Sequence, residues 1–174
     1  MTTLKEVTRA VHDEAEHSEW GKLLVSGNIN KQQYVHYLYN LLEVHQAIES
    51  RNIITKKEVL RVPSIINDIE ATDSTISPVA LDSTWKYVDH LNKLPDEKLW
   101  CHIYCHYLGY MYGGQVIKKA VPFSTTMLDF DDRQGCIAYI REHLEGVDHE
   151  EAKAAFKWAT VMFNDLWDHY KDEK

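Results

Sequence analysis

The sequence predicts an all-α protein with a single domain, and three observations lead to this fold class. Apolar residues recur three and four positions apart along most of the chain, the spacing of helices with one buried face. Only 7 glycines and 4 prolines occur in 174 residues, too few for a loop-rich β fold or a disordered chain. Because this length is typical of one hydrophobic core, we assign residues 1–174 to one domain.

The first two helices are predicted from capping residues that precede apolar stripes. Thr3 stands three residues before Glu6, the spacing of a capping box, and predicts a first helix that ends near residue 18. Gly21 and Gly27 bracket a predicted short connection. Asn30, followed by a glutamine three positions later, predicts the start of a second helix. One stripe of the second helix collects Tyr34, Tyr37, Leu38, Leu41, His45 and Ile48.

Prolines divide the remainder of the chain. Pro63, Pro78 and Pro95 each stand where a helix is able to begin. The further predicted helices cover 64–70, 79–91, 97–119, 133–145 and 149–172. Residues 122–132 and 145–148 are predicted loops.

Charge, hydropathy and cysteine spacing exclude several functional classes. The net charge of -8 argues against general nucleic-acid binding, which needs a basic face. Cys101, Cys105 and Cys136 lack the spacing of a zinc knuckle, and their odd number disfavours a disulfide framework. No apolar run approaches the roughly 20 residues that span a bilayer, and we see neither an apolar leader nor an apolar tail. We therefore expect a cytoplasmic protein that binds neither nucleic acid nor membrane.

A polar stripe on the first predicted helix is one candidate site. Lys5, Arg9, His12 and Glu16 follow one another at helical spacing. An imidazole in such a stripe is able to ligate a metal, while a glutamate one turn later holds the other ring nitrogen directly or through water. Cations on the same face suit the carboxylates of a ligand. The spacing alone is equally typical of a solvated helix face.

A glycine cluster is the second candidate site. Gly109, Gly113 and Gly114 fall within six residues of a strongly helical pattern. Each glycine in a helix interior costs about 1 kcal/mol relative to alanine, so three together need a physical reason. Without Cβ atoms the helix is able to bend, and another body is able to approach its backbone closely. Close packing against a neighbouring helix is the alternative that the spacing leaves open.

Two segments resemble heme oxygenases. LKEVTRAVHDEAE at 4–16 resembles the proximal helix of that family, and YLGYMYGGQVIKK at 107–119 resembles its kinked distal helix. Gly27 stands where the family has a glycine, and Phe156 and Phe163 fall on the last helix as the pocket aromatics do. The resemblance implies a heme oxygenase-like helical bundle. Heme would be sandwiched between the first helix and the kinked, glycine-rich distal helix.

The resemblance also implies an activity and the residues that serve it. It makes His12 the ligand of the iron in heme b. The other implied cofactor contacts are Lys5, Arg9, Glu16, Tyr104, Gly114, Arg141, Phe156 and Phe163. Heme would be both prosthetic group and substrate, cleaved by O2 and external electrons to biliverdin, carbon monoxide and ferrous iron. The expected electron donor is ferredoxin or a flavoprotein reductase, and the expected enzyme is a monomer.

Three polar positions depart from the family pattern. The family has an aspartate after the first distal glycine, an arginine three residues before it and a tyrosine on the second helix. This chain has Tyr110, His106 and His45 there. A phenol both donates and accepts hydrogen bonds, whereas an ionised carboxylate only accepts. We predict a substitute catalytic relay from these three side chains, with the distal backbone supplied by Gly109 and Gly113. The alternative is a carrier or sensor that binds heme or a bilin unchanged.

A metal–carboxylate bundle is a third interpretation. The segment EAEH at 14–17 contains the Glu-x-x-His spacing found on the helices of such enzymes. His102 and His106 stand four residues apart on the predicted distal helix, but we expect no carboxylate near them. The second Glu-x-x-His motif and the two further glutamates that such a site requires are then missing, so the heme interpretation is favoured.

Overall fold

The computed structural model describes residues 2–171, and every regular element in that range is helical. This confirms the predicted all-α class. The α-helices are α1 Leu4–Glu16, α2 Glu19–Ser26, α3 Lys31–Glu49, α4 Val62–Asp73, α5 Asp82–Lys93, α6 Asp96–Ile103, α7 Gly109–Met111, α8 Gly114–Ala120, α9 Arg133–Glu142 and α10 His149–Tyr170. A π-helical turn, Tyr104–Leu108, joins α6 to α7. Within the described range, no helix combines the length and the apolar character needed to cross a membrane.

Both predicted capping boxes are present. The Thr3 hydroxyl accepts from the backbone N–H of Glu6, and the Asn30 side chain accepts from that of Gln33. The helix that follows the second box, α3, is the centre of the core and packs against α4 and α5. Every member of its predicted stripe is buried. Helix α1 packs chiefly along α10, so the first and last helices form one side of the bundle.

The predicted connection between Gly21 and Gly27 is wrong, because this stretch forms helix α2. Ser18 caps the helix by accepting from the Gly21 N–H, and Gly27 ends it at φ 76°. A Cβ on Gly21 would lie 2.6 Å from the Glu16 carbonyl oxygen, so this glycine permits a tight turn between α1 and α2. The two glycines have different roles within and after one helix, and their spacing did not indicate this.

Helix boundaries in the middle of the chain also differ from the prediction. The helix predicted at 64–70 is longer and begins at Val62. The helix predicted from residue 79 begins only at Asp82, because the Asn40 side chain holds the preceding segment extended. The Asn40 Oδ1 accepts from the Leu81 N–H at 2.9 Å and from the Thr84 hydroxyl at 2.6 Å. The last two predicted helices are confirmed as α9 and α10, although residue 172 lies outside the described residues.

The helix predicted at 97–119 is interrupted, as its glycines indicated. Helix α6 passes into the π-helical turn, α7 is short, and Tyr112 breaks the helical path with φ -108° and ψ -87°. The predicted kink is therefore present, although the π-helical turn was not predicted. We call the whole stretch from α6 to α8 the distal segment.

The loop predicted at 122–132 is held by two buried charged side chains. Asp68 accepts hydrogen bonds from the backbone N–H groups of Thr126 and Met127. Arg61 donates to the carbonyl oxygens of Met127 and Asp129 from the other side. The loop that follows the distal segment is therefore tied to α4.

Candidate functional site

The polar stripe of α1 is exposed to solvent. Lys5, Arg9, His12 and Glu16 are all exposed, while Thr8 and Ala15 on the adjacent face are buried. Within residues 2–171, Lys5 and Arg9 form no ion pair. These two cations are therefore available to an anionic ligand.

His12 has the geometry of an available metal ligand. Its side chain is 54% exposed, and its Nδ1 lies 3.7 Å from a carboxylate oxygen of Glu16 and 3.6 Å from one of Asp13. These distances exceed a hydrogen bond but allow electrostatic attraction or a bridging water. The Nε2 atom of His12 has no hydrogen-bond partner in the described part of the chain. An edge-on contact with Phe156, 5.6 Å between ring centroids, orients the imidazole.

Other histidines are committed to contacts elsewhere. Those buried in the core are all hydrogen-bonded: His36, His45, His102 and His106. His143 is stacked on Trp100 with 3.9 Å between ring centroids. Geometry thus separates His12 from most of the ten histidines of the chain, which composition alone could not do.

Tyr104, which is predicted to contact the cofactor, joins the distal segment to α1. Its hydroxyl lies 3.2 Å from Oγ1 of Thr8, one helical turn before His12. The Tyr104 ring also meets Phe156 of α10 at 6.1 Å. Phe163 does not share this position, because it packs against Tyr37 at 6.1 Å. Phe156 is thus the predicted pocket aromatic that lies beside His12.

The three distal glycines have two different environments. Gly109 and Gly113 are exposed, and a Cβ built on Gly109 would meet nothing within 4 Å. The φ of Gly109 is -56°, an ordinary helical value, so its backbone conformation does not require a glycine. Gly114 is buried, and its Cβ would lie 3.1 Å from the side chain of Leu128. Packing explains this glycine, and its predicted contact with a cofactor stays a prediction. Gly109 and Gly113 leave a bare, open helix face.

Arg141 reaches the distal segment through a residue that sequence analysis missed. Its guanidinium donates to the hydroxyl of the exposed Tyr112 at 2.9 Å. Arg133 donates to the Met111 carbonyl oxygen and lies over the Tyr112 ring. Two cations therefore stand at the break in the distal segment, beside Gly113.

A buried polar pair lies behind the bare glycine face. The Tyr110 hydroxyl is 3.0 Å from Nε2 of His45, and Nδ1 of that ring is 2.6 Å from the Leu41 carbonyl oxygen. The carbonyl fixes the proton on Nδ1, so Nε2 accepts from the phenol. Burial lowers the pKa of His45 to about 4 and raises the pKa of Tyr110 well above its usual value. Both groups are therefore neutral near pH 7.

His106 belongs to a different hydrogen-bond chain from Tyr110 and His45, and the relay of all three side chains stays a prediction. Its Nε2 lies 2.8 Å from the hydroxyl of Tyr87, although its ring lies 5.7 Å from that of His45. The same Tyr87 hydroxyl is 2.6 Å from Nδ1 of His102. Burial keeps the pKa of His106 well below its usual value. His106 and Tyr110 thus flank His45 but have different hydrogen-bond partners.

The expectation that no carboxylate lies near His102 is wrong. Glu151 of α10 has a carboxylate oxygen 2.8 Å from Nε2 of His102 and 2.9 Å from Nε2 of His90. Hydrogen bonding to these two rings lowers the pKa of Glu151 to about 2. No local signal could have found this contact, because the three residues come from α5, α6 and α10.

Nearly the whole chain is similar in sequence to known proteins. A family model described as heme oxygenase matches residues 1–165. A heme oxygenase of Guillardia theta is 28% identical in an alignment of 169 positions that covers 86% of this chain and 67% of the relative. Heme oxygenase 2 of Rattus norvegicus is 25% identical in a gapped alignment of 205 positions that covers 94% of this chain and 64% of the relative. The chain spans about two thirds of the length of these curated relatives.

Structural comparisons show a shared fold. Heme oxygenase-1 of Synechocystis in complex with heme matches with a TM-score of 0.83 at 23% identity, covering 98% of this chain and 93% of that chain. Heme oxygenase-2 of the same organism, in complex with heme and NO, gives a TM-score of 0.84 at 24% identity. That match covers 98% of this chain and 86% of the other.

Proposed function

Because this chain belongs to the heme oxygenase family, we propose that it cleaves heme to biliverdin, carbon monoxide and ferrous iron. The observation that carries the proposal is an available His12 combined with a bare helix face at Gly109 and Gly113. Thr8, one turn before His12, contacts Tyr104, and Gly109 lies roughly 7 Å further along the helix axis. His12 and the bare glycine face therefore both lie within a few helical turns of the contact between Thr8 and Tyr104. A ligand held between two helices requires such an arrangement.

The exposed face of α1 fits the proximal side and the anionic edge of heme. His12 would ligate the iron through Nε2, and Glu16 would hold Nδ1 after a small movement or through water. Lys5 and Arg9 would meet the propionate carboxylates, with Arg141 a further cation beside the distal break. Bound heme supplies a redox-active iron and is itself the substrate for O2 and externally supplied electrons.

The distal segment would supply close backbone approach and proton transfer. The bare face at Gly109 and Gly113 lets main-chain atoms approach the ligand where any side chain would stand between them. Behind it, the Tyr110 hydroxyl donates to Nε2 of His45, so the phenol oxygen would accept a hydrogen bond from a water that delivers protons to the ligand. Such a pair would take the place of the distal carboxylate.

A ferredoxin or a flavoprotein reductase is the donor class that we propose for the electrons. Which of the two donors serves this protein stays a prediction. The monomeric state and the cytoplasmic compartment also stay predictions. Comparison of the two donor classes at equal electron flux would identify the physiological type.

Turnover of bound heme tests the proposed function directly. Heme is added to the purified chain, followed by a ferredoxin system or ascorbate, and the absorption spectrum is recorded over time. We expect the Soret band to decay while biliverdin absorption appears and carbon monoxide is released. Heme that binds and persists unchanged with every donor would establish the carrier interpretation instead.

The substitution Gly109→Ala should raise the stability of the heme-free protein but lower its affinity for heme. In the heme-free protein a methyl group at this exposed helical position meets no atom, so the free energy of unfolding should rise by about 0.5–1 kcal/mol. Heme binding should weaken by about 1–3 kcal/mol, because the methyl group occupies the space that the ligand fills. Urea unfolding and titration with heme measure the two quantities.

Gly114→Ala is the matched control for this experiment. Its methyl group would press on Leu128, so the heme-free protein itself should lose stability. Equal heme affinity in Gly109→Ala and the parent would show that the bare face is not a heme contact.

Removal of the Tyr110 hydroxyl should slow turnover with little effect on heme affinity. Tyr110→Phe keeps the ring but removes the proton donor to His45, and we expect the rate of biliverdin formation to fall by about 100-fold. Because neither partner titrates between about pH 6 and 8, the loss should be the same across that range. Tyr39→Phe, which removes a hydroxyl near the surface of α3, is the control. A parent-like rate in Tyr110→Phe would assign proton transfer to other groups.

A further inference from the structure

A compact cluster of two imidazoles and one carboxylate lies outside the proposed heme site. His90 of α5, His102 of α6 and Glu151 of α10 bring one ligand atom each to within 4.8 Å of one another. Both Nε2 atoms point at the same carboxylate oxygen of Glu151, at 2.9 and 2.8 Å. Because three separate helices supply the three groups, the cluster is a product of the tertiary fold.

We propose that His90, His102 and Glu151 form a binding site for a divalent first-row transition-metal ion such as Zn2+ or Co2+. Two histidines and one carboxylate are a ligand set that these ions take, with the remaining positions filled by water. Ligand atoms around a tetrahedral ion with bonds near 2.0 Å stand about 3.3 Å apart. The two distances from Nε2 to the Glu151 oxygen need to open by only about 0.4–0.5 Å, which side-chain torsions are able to supply.

The surroundings of His102 are those of an oriented metal ligand. Its Nδ1 is held by the Tyr87 hydroxyl, which in turn is held by Nε2 of His106. With a metal on Nε2 of His102, its Nδ1–H would donate to the phenol oxygen, and the phenol would donate to His106. The protons on Nδ1 of His102 and on the Tyr87 hydroxyl then both have acceptors, which is the outer-shell support that ligating histidines usually have.

The cluster is also braced and accessible. Trp158 stacks on Tyr87 with 5.4 Å between centroids and contacts the His90 ring at 5.1 Å, so both rings are held in place. The His90 side chain is 29% exposed, whereas that of His102 is fully buried. His90 therefore stands at the entrance, and an ion that passes it meets Glu151 and then His102.

The negative charge of Glu151 favours the binding of a cation in this cluster. The Glu151 carboxylate is 11% exposed and faces two rings that are neutral when each donates a single N–H. A divalent ion would neutralise this partly buried carboxylate more fully than two neutral donors do. The His12, Asp13 and Glu16 cluster differs, because all three of its members are exposed.

Titration of the heme-free full-length chain with Co2+ tests this site without any heme chemistry. We expect about one equivalent of Co2+ to bind, with visible absorption bands typical of nitrogen and oxygen coordination, and Zn2+ to displace it. His90→Ala should lower the affinity by at least about 10-fold, and Tyr87→Phe should lower it by about 10-fold through loss of outer-shell support. Glu151→Gln should behave as His90→Ala does.

His149→Ala and His12→Ala are the matched controls. The first removes an exposed histidine two residues before Glu151, and the second removes the only histidine of the α1 cluster. Both should bind Co2+ as the parent does. Circular dichroism confirms folding, and His90→Ala is the safest variant because His90 is the more exposed of the two histidines. The proposal is overturned if the parent binds no Co2+, or if folded His90→Ala and Glu151→Gln bind it as the parent does.

Discussion

Replacement of His12 by alanine is expected to abolish turnover while heme still binds. Apolar contacts with Phe156 and the cations Lys5 and Arg9 remain, so we expect heme affinity to fall only moderately. The iron, however, loses the ligand whose Nε2 is free in the described structure. The absorption and electron paramagnetic resonance spectra should lose the signature of histidine coordination. Added imidazole should restore the spectrum and part of the rate, because it enters the space that the side chain vacated.

His17→Ala is the appropriate control for this variant. His17 is exposed on the same helix end, and its Nδ1 already contacts the Asp13 carbonyl oxygen. It should keep the parent spectrum and rate. An unchanged axial-ligand spectrum and a normal rate in His12→Ala would mean that another histidine ligates the iron.

Replacement of Arg61 by methionine is expected to produce the largest loss of stability. The buried guanidinium donates to five carbonyl oxygens, those of Glu58, Val59, Leu60, Met127 and Asp129. It also stacks on Phe130 at 3.7 Å from the ring centroid. Methionine fills the space but leaves buried acceptors without donors, so the free energy of unfolding should fall by about 3–5 kcal/mol. Urea unfolding of the heme-free protein measures this loss.

Arg51→Met provides the comparison. Arg51 also donates to two carbonyl oxygens, but its side chain is 23% exposed and one partner is the exposed Asp96. Water is able to replace these hydrogen bonds. The free energy of unfolding should therefore fall by less than half as much in Arg51→Met as in Arg61→Met. Equal losses in the two variants would show that burial of the Arg61 acceptors does not determine the cost.

Local sequence signals were sufficient wherever the physical cause is local. A capping box involves residues three apart, so Thr3 and Asn30 marked the starts of α1 and α3 correctly. The stripe from Tyr34 to Ile48 is buried because one face of a helix is set by residue spacing alone. The glycine cluster indicated a break, since missing Cβ atoms weaken a helix whatever surrounds it.

Contacts between distant residues decided the features that sequence analysis missed. Asn40 delays the start of α5 by binding Leu81, and nothing near residue 79 encodes this. Likewise, the resemblance identified Tyr110, but its pairing with His45 rather than His106 follows from how α3 packs on the distal segment.

The sequence by itself determined the helical class, the caps of α1 and α3 and the break at the distal glycines, and its resemblance to the family led to the proposal of His12 as the iron ligand. Only the tertiary structure decided that Gly109 faces open space while Gly114 is packed, and that Glu151 meets His90 and His102. The reason is physical. Helix propensity and capping act within one turn, whereas burial and the choice of hydrogen-bond partner depend on which helices are brought together.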